Sequence, residues 1–77
     1  GQEPDRSASA LEKLSAKEIT RLIQQLPTGY RVVFNLYEVE GYAHREIAQL
    51  LNISVGTSKS QLSKAKKMLR QSIESLL

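Results

Sequence analysis

Between Thr57 and Lys67 the chain carries Thr57, Lys59, Ser60, Ser63, Lys64, Lys66 and Lys67. Hydroxyls and ammonium groups at this density are suited to one chemistry: donating hydrogen bonds to an anionic, acceptor-rich surface. On a helix, at roughly 100° per residue, Gly56, Thr57, Ser60, Ser63, Lys64 and Lys67 share one side, with Lys59 and Lys66 on a flank. Val55, Leu62, Ala65, Leu69, Ile73 and Leu76 follow steps of seven, three, four, four and three and form an apolar stripe that must face a core. The polar side is then the exposed one. A helix of this kind fits the major groove of DNA. Lysine can donate to guanine O6 and N7 and serine can donate or accept, which makes Lys59, Ser60, Ser63 and Lys64 the candidate base-reading residues. Thr57, Lys66 and Lys67 are the candidate phosphate ligands. Gly56 permits close backbone approach, and the free N–H groups of that first turn favour an anion.

A helix that enters a groove has to be held there by a second one. Residues 43 to 69 read as two helical patterns separated by Asn52-Ile53-Ser54. The first pattern, from about His44 to Leu51, has apolar Ile47, Leu50 and Leu51, and the small Ala48 would let another helix cross closely. Asn52 tolerates the left-handed conformation of a helix end, Ile53 is an apolar plug, and Ser54 is a good N-cap for the helix from Val55 onward. That is the spacing of a helix-turn-helix. Upstream, Ser15-Ala16-Lys17-Glu18 fits a capping box, and Ile19, Leu22, Ile23 and Leu26 predict a first helix up to Pro27. A second helix follows Pro27, with Val32, Val33, Leu36, Tyr37 and Val39 as its apolar positions and Gly41 closing it. No strand pattern occurs. The expectation is an all-α, four-helix domain over residues 15–77, preceded by a flexible linker or tail over residues 1–14.

The net charge of +3 is unevenly spread. Residues 1–26 hold four basic and four acidic side chains, residues 27–53 two and three, and residues 54–77 five and one. The excess therefore sits on the last helix, as a local stripe that attracts a polyanion. With no cysteine and one histidine, no disulfide framework or thiolate metal site can exist, and no metal or cofactor is expected. Acidic residues are scattered and no Ser, His and Asp arrangement follows from one histidine, so an enzyme active site is not expected. No apolar run approaches the ~20 residues a membrane span needs, and a cytoplasmic location is the compatible one. Phe34, Tyr30, Tyr37 and Tyr42 are expected in core or interhelical roles, and His44 as an ordinary first-turn surface residue.

Set out in order, Leu26-Pro27, Arg31, Phe34, Leu36, Glu40-Gly41, Glu46-Ile47-Ala48, Leu51, Ile53-Ser54, Gly56-Thr57 and Lys59-Ser60 resemble region 4 of bacterial RNA polymerase sigma factors of the extracytoplasmic-function (ECF) type. The resemblance covers Leu26 to Arg70. It implies a winged-helix-like, sigma region 4 type of helix-turn-helix domain that binds the minus-35 promoter element in double-stranded DNA and docks on the β flap of core RNA polymerase. An anti-sigma factor is a further partner the family implies, and a monomer is expected for the isolated domain. Carried over by residue, Lys59, Ser60, Ser63 and Lys64 face bases, while Thr57, Lys66 and Arg45 face phosphates. The chain also resembles the LuxR-type effector domain of response regulators; EGYAHREIA and SKAKKMLR favour sigma. A module that mainly docks on protein is the alternative of a different class.

Three departures from the sigma pattern carry expectations of their own. Ala43 stands where a Ser or Thr cap is frequent, so only the Glu46 half of a capping box remains, a loss of about 1 kcal/mol. Ser58 stands at an apolar, core-side position, where its hydroxyl is expected to bond back to its own helix. Lysine replaces arginine at most basic positions and lacks the planar bidentate fork.

Overall fold

The computed structural model describes residues 14–76. The expected linker over residues 1–14 lies, apart from Leu14, outside the described residues. Four helical segments follow in order: α1 (Ala16–Gln24), α2 (Thr28–Phe34, continued by a π-helical segment, Asn35–Val39), α3 (His44–Leu51) and α4 (Val55–Ser75). No strand occurs among the described residues. The four-helix, all-α expectation holds, with α2 departing from a plain α-helix in its second half.

Each boundary has a local cause. Ser15 caps α1, accepting from the Glu18 N–H at 3.2 Å. Pro27 stands as the N-cap of α2. The Arg31 guanidinium reaches back from α2 and donates to the Gln24 carbonyl at 2.9 Å, satisfying a carbonyl that the end of α1 leaves over. At the other end of α2 the Glu40 N–H donates to Asn35 O at 2.9 Å, and the Tyr42 N–H to Leu36 O at 2.9 Å. Between these bonds Gly41 sits at φ +82°, with open space where a Cβ would be. Backbone conformation alone therefore requires the glycine. Gly41→Ala is expected to cost about 1–2 kcal/mol, read as a lower thermal midpoint, with Gly41→Asn losing less because asparagine visits the left-handed region more readily.

The core forms where α2, α3 and α4 meet. Val33, Ile47 and Leu62 are buried together, with Phe34, Leu36, Tyr37, Leu51 and Ile53 packed around them. Further along α4, Ala65 and Ile73 are buried, as is Leu26 before α2. Ala48 is buried where α3 crosses α4, as its small side chain predicts.

Five residues expected in core or interhelical positions are not there. Leu50 is 59% exposed, Val39 66%, Val55 40%, Leu76 57% and Tyr42, in the loop after Gly41, 38%. The buried face of α3 is centred on Ile47, Ala48 and Leu51, and Leu50 lies roughly 100° of helical rotation away from that centre. Val39 ends the π segment, whose wider turn shifts the side chains that follow out of α-helical phase. Val55 opens α4 and Leu76 lies just past its end, so neither has helix on both sides to cover it.

Candidate nucleic-acid interface

The turn joining α3 to α4 is built as its residue types demand. Asn52 adopts φ 55°, ψ 48°, and the Ile53 N–H donates to Ala48 O at 3.0 Å to close α3. Ser54 then caps α4. Its Oγ accepts from the Thr57 N–H at 2.9 Å and donates to Thr57 Oγ1 at 2.8 Å. At the start of α3, the Ala43 N–H donates to Glu46 Oε1 at 3.0 Å. Alanine returns nothing, so one half of the capping box is present, as expected.

The exposed side of α4 gathers Ser60, Ser63, Lys64 and Lys67, with Lys59 and Lys66 beside them, all in the exposed class. Helical rotation puts Ser60, Ser63, Lys64 and Lys67 opposite Ser58, Leu62 and Ala65, which are buried, and leaves Lys59 and Lys66 on a flank. The four candidate base-reading residues therefore share one solvent-facing surface along the N-terminal half of a 21-residue helix. Thr57 is half-buried, its hydroxyl already accepting from Ser54. Gly56 meets only Ser54 Oγ, at 3.8 Å from a notional Cβ, so the backbone there is open to a close-approaching group. Arg45 is exposed on the first turn of α3, a second element, as its candidate phosphate role requires. Lys66 differs from the others: its Nζ lies 2.8 Å from Glu38 Oε1 on the π segment.

His44 corrects a sequence expectation. It is half-buried rather than an ordinary surface residue, with its Nδ1 2.8 Å from Ser58 Oγ and its ring stacked on Tyr37, centroids 4.4 Å apart and planes 20° from parallel. Ser58 likewise bonds to α3 instead of its own helix, its hydroxyl meeting the imidazole that α3 brings against α4. The signal that could have found this pair lay in Ser58 itself. A buried hydroxyl needs a hydrogen-bond partner, and His44 is the one polar side chain among the described residues that meets it.

A second feature lies on the side of α4 away from Ser60, Ser63, Lys64 and Lys67. Ile19, Leu22 and Ile23 of α1, Phe34 of α2, and Leu69 and Ile73 of α4 line an apolar groove of about 270 Å³, with Lys66 and Arg70 at its edge. No helix among the described residues is long and apolar enough to cross a membrane, and no cluster of potential metal ligands occurs among them.

These elements define a helix-turn-helix domain: a short helix, a turn through left-handed Asn52, and a long helix with one face in the core and one lined by hydroxyls and ammonium groups. A family model described as "Sigma-70, region 4" matches residues 16–69. The chain is 28% identical over 75 residues to the ECF RNA polymerase sigma-E factor of Haemophilus influenzae, covering 97% of this chain and 38% of that protein. It is 32% identical over 59 residues to the RNA polymerase sigma-H factor of Pseudomonas aeruginosa, covering 77% and 31%. The ECF RNA polymerase sigma-E factor of Escherichia coli K12 is 29% identical over the same length and shares. The chain belongs to the sigma-70 region 4 family, as region 4 of an ECF-type sigma factor. It spans about a third of the length of these curated relatives.

Proposed function

We propose that this domain is the promoter-binding part of an ECF sigma factor that directs RNA polymerase to begin transcription. In this reading α4 enters the major groove at the minus-35 element, with Lys59, Ser60, Ser63 and Lys64 toward base edges and Arg45, Thr57, Lys66 and Lys67 toward phosphates. The segment before α1 would link it to the rest of the protein. The observation that carries the reading is the division of α4: its buried side packs on α2 and α3, while its opposite side offers donors along the half of the helix that follows the turn. Lys66 reaches a phosphate only by leaving Glu38. Both side chains are well exposed, and an exposed ion pair is weak and screened by salt, so exchange of one anion for another is easy.

The test is a titration of the isotopically labelled chain with a pool of short duplexes at two salt concentrations, followed by amide shifts of residues 42–70. Shifts concentrated on Thr57 to Lys67 that fade as salt rises are expected, because phosphate contacts release counterions. No shifts at low salt would remove direct DNA binding from this domain. Lys64→Ala is expected to weaken binding to a preferred sequence by ~1–3 kcal/mol if the residue reads a base. A uniform loss across sequences would make Lys64 a phosphate ligand instead.

The apolar groove between α1 and α4 supports a second role for the same domain, docking on the β flap of core RNA polymerase or being covered by an anti-sigma factor. Its lining is aliphatic apart from Phe34 and the bordering Lys66 and Arg70, the composition of an interface core with a charged rim. A flap segment added to the labelled chain should move amides near Ile19, Ile23 and Ile73 with little dependence on salt. Movement confined to residues 57–67 would place docking elsewhere.

A further inference from the structure

Ser58 has no exposed surface and lies on the apolar side of α4, immediately before Lys59. A hydroxyl removed from water must find a partner, and Ser58 Oγ has His44 Nδ1 at 2.8 Å. No other hydrogen-bond partner of that hydroxyl occurs among the described residues. A hydroxyl can donate to or accept from a ring nitrogen, so the pair is satisfied in either ring tautomer. Tyr37 holds the imidazole from the other side by stacking on it. The π segment, α3 and α4 thus meet at one ring.

We propose that His44 is a positioning residue for sequence reading by α4. Through Ser58 it fixes the rotation of the first turns of α4 about their own axis relative to α3, and so the aim of Lys59, Ser60, Ser63 and Lys64. This rests on the DNA-reading function proposed above. The apolar contacts of Ile47 and Leu62 hold the helices together, but burial is non-directional and a packed helix can turn slightly at little loss. A hydrogen bond is directional and works over a range of only about 0.5 Å. Side-chain ends stand about 5–6 Å from a helix axis, so a turn of about 20° carries a hydroxyl roughly 2 Å, out of bonding range of a base edge. Apolar side chains at positions 44 and 58 would fill the same space. The polar pair adds orientation.

The experiment compares the 77-residue chain with His44→Phe, which keeps a flat ring on Tyr37 but removes Nδ1, with Ser58→Ala, and with the double variant. His44→Asn serves as the rescue, its Oδ1 standing where Nδ1 stood. Residual dipolar couplings of amides 44–51 and 55–67 give the orientation of α3 against α4 without DNA. Competition between a short duplex that the unaltered chain enriches from a random pool and a duplex of shuffled sequence gives the discrimination ratio. The two single variants and the double variant are expected to share one changed orientation. Each should lower discrimination roughly tenfold, the double no further than either single, while affinity for the shuffled duplex and its salt dependence hold. His44→Asn should retain the ratio. Unchanged dipolar couplings, or an unchanged ratio in all three bond-deleting variants, would overturn the proposal. If the unaltered chain enriches no duplex, sequence reading itself has failed, and the couplings alone decide whether His44 sets the angle.

Discussion

Ile47→Ala is expected to lower the thermal midpoint of the domain by roughly 10–25 °C, since each 1 kcal/mol shifts a domain of this size by about 4–8 °C. Ile47 is fully buried at the point where α2, α3 and α4 meet. Truncating such a side chain removes its transfer free energy and leaves a cavity, together about 2–5 kcal/mol. Folded domains hold about 0.05–0.15 kcal/mol per residue, so the loss is comparable with the whole stability of a domain this short. Circular dichroism during heating reads the result. A shift under about 5 °C would mean that the core is not organised around Ile47.

Changing Lys59, Lys64 and Lys67 together to glutamine is expected to weaken DNA binding at least a hundredfold at low salt, with little change in the melt. All three are exposed and none has an ion-pair partner among the described residues, so the fold does not depend on their charge. Each phosphate neutralised contributes about 0.9 to the slope of log affinity against log salt. Of the three only Lys67 is placed on a phosphate, so the triple variant should flatten that slope by roughly 1. Fluorescence anisotropy with one duplex at several salt concentrations measures both quantities. An unaltered slope would show that another surface meets the DNA.

Helix-turn-helix spacing was legible because its determinants are local. Ser54 caps α4 whatever packs on it, Asn52 takes the left-handed turn, and the steps from Leu62 to Ile73 select a buried side at any tertiary arrangement. The exposed grouping of Lys59, Ser60, Ser63 and Lys64 follows from the same periodicity. What escaped was set by neighbours distant in the chain. The pairing of His44 with Ser58 spans fourteen residues, and the Lys66–Glu38 bridge joins α4 to a segment nearly thirty residues upstream. Leu50 read as core because one face of an eight-residue helix is too short a sample to separate true periodicity from a chance leucine. Val39 failed for a different reason: apolar spacing assumes a constant 3.6 residues per turn, and α2 does not keep it.

The widened turn at Asn35–Val39 makes the domain sensitive to chain length in one place. It holds one more residue than an α-helical turn of the same reach would, so losing Asn35 or Leu36 would let the helix close into regular α geometry. Tyr37 and Glu38 would then re-phase together, one leaving the imidazole of His44 and the other leaving Lys66. Such a deletion would thus free the π segment from α3 and from α4 at once without removing any partner. Substitutions in the same segment can remove only one at a time.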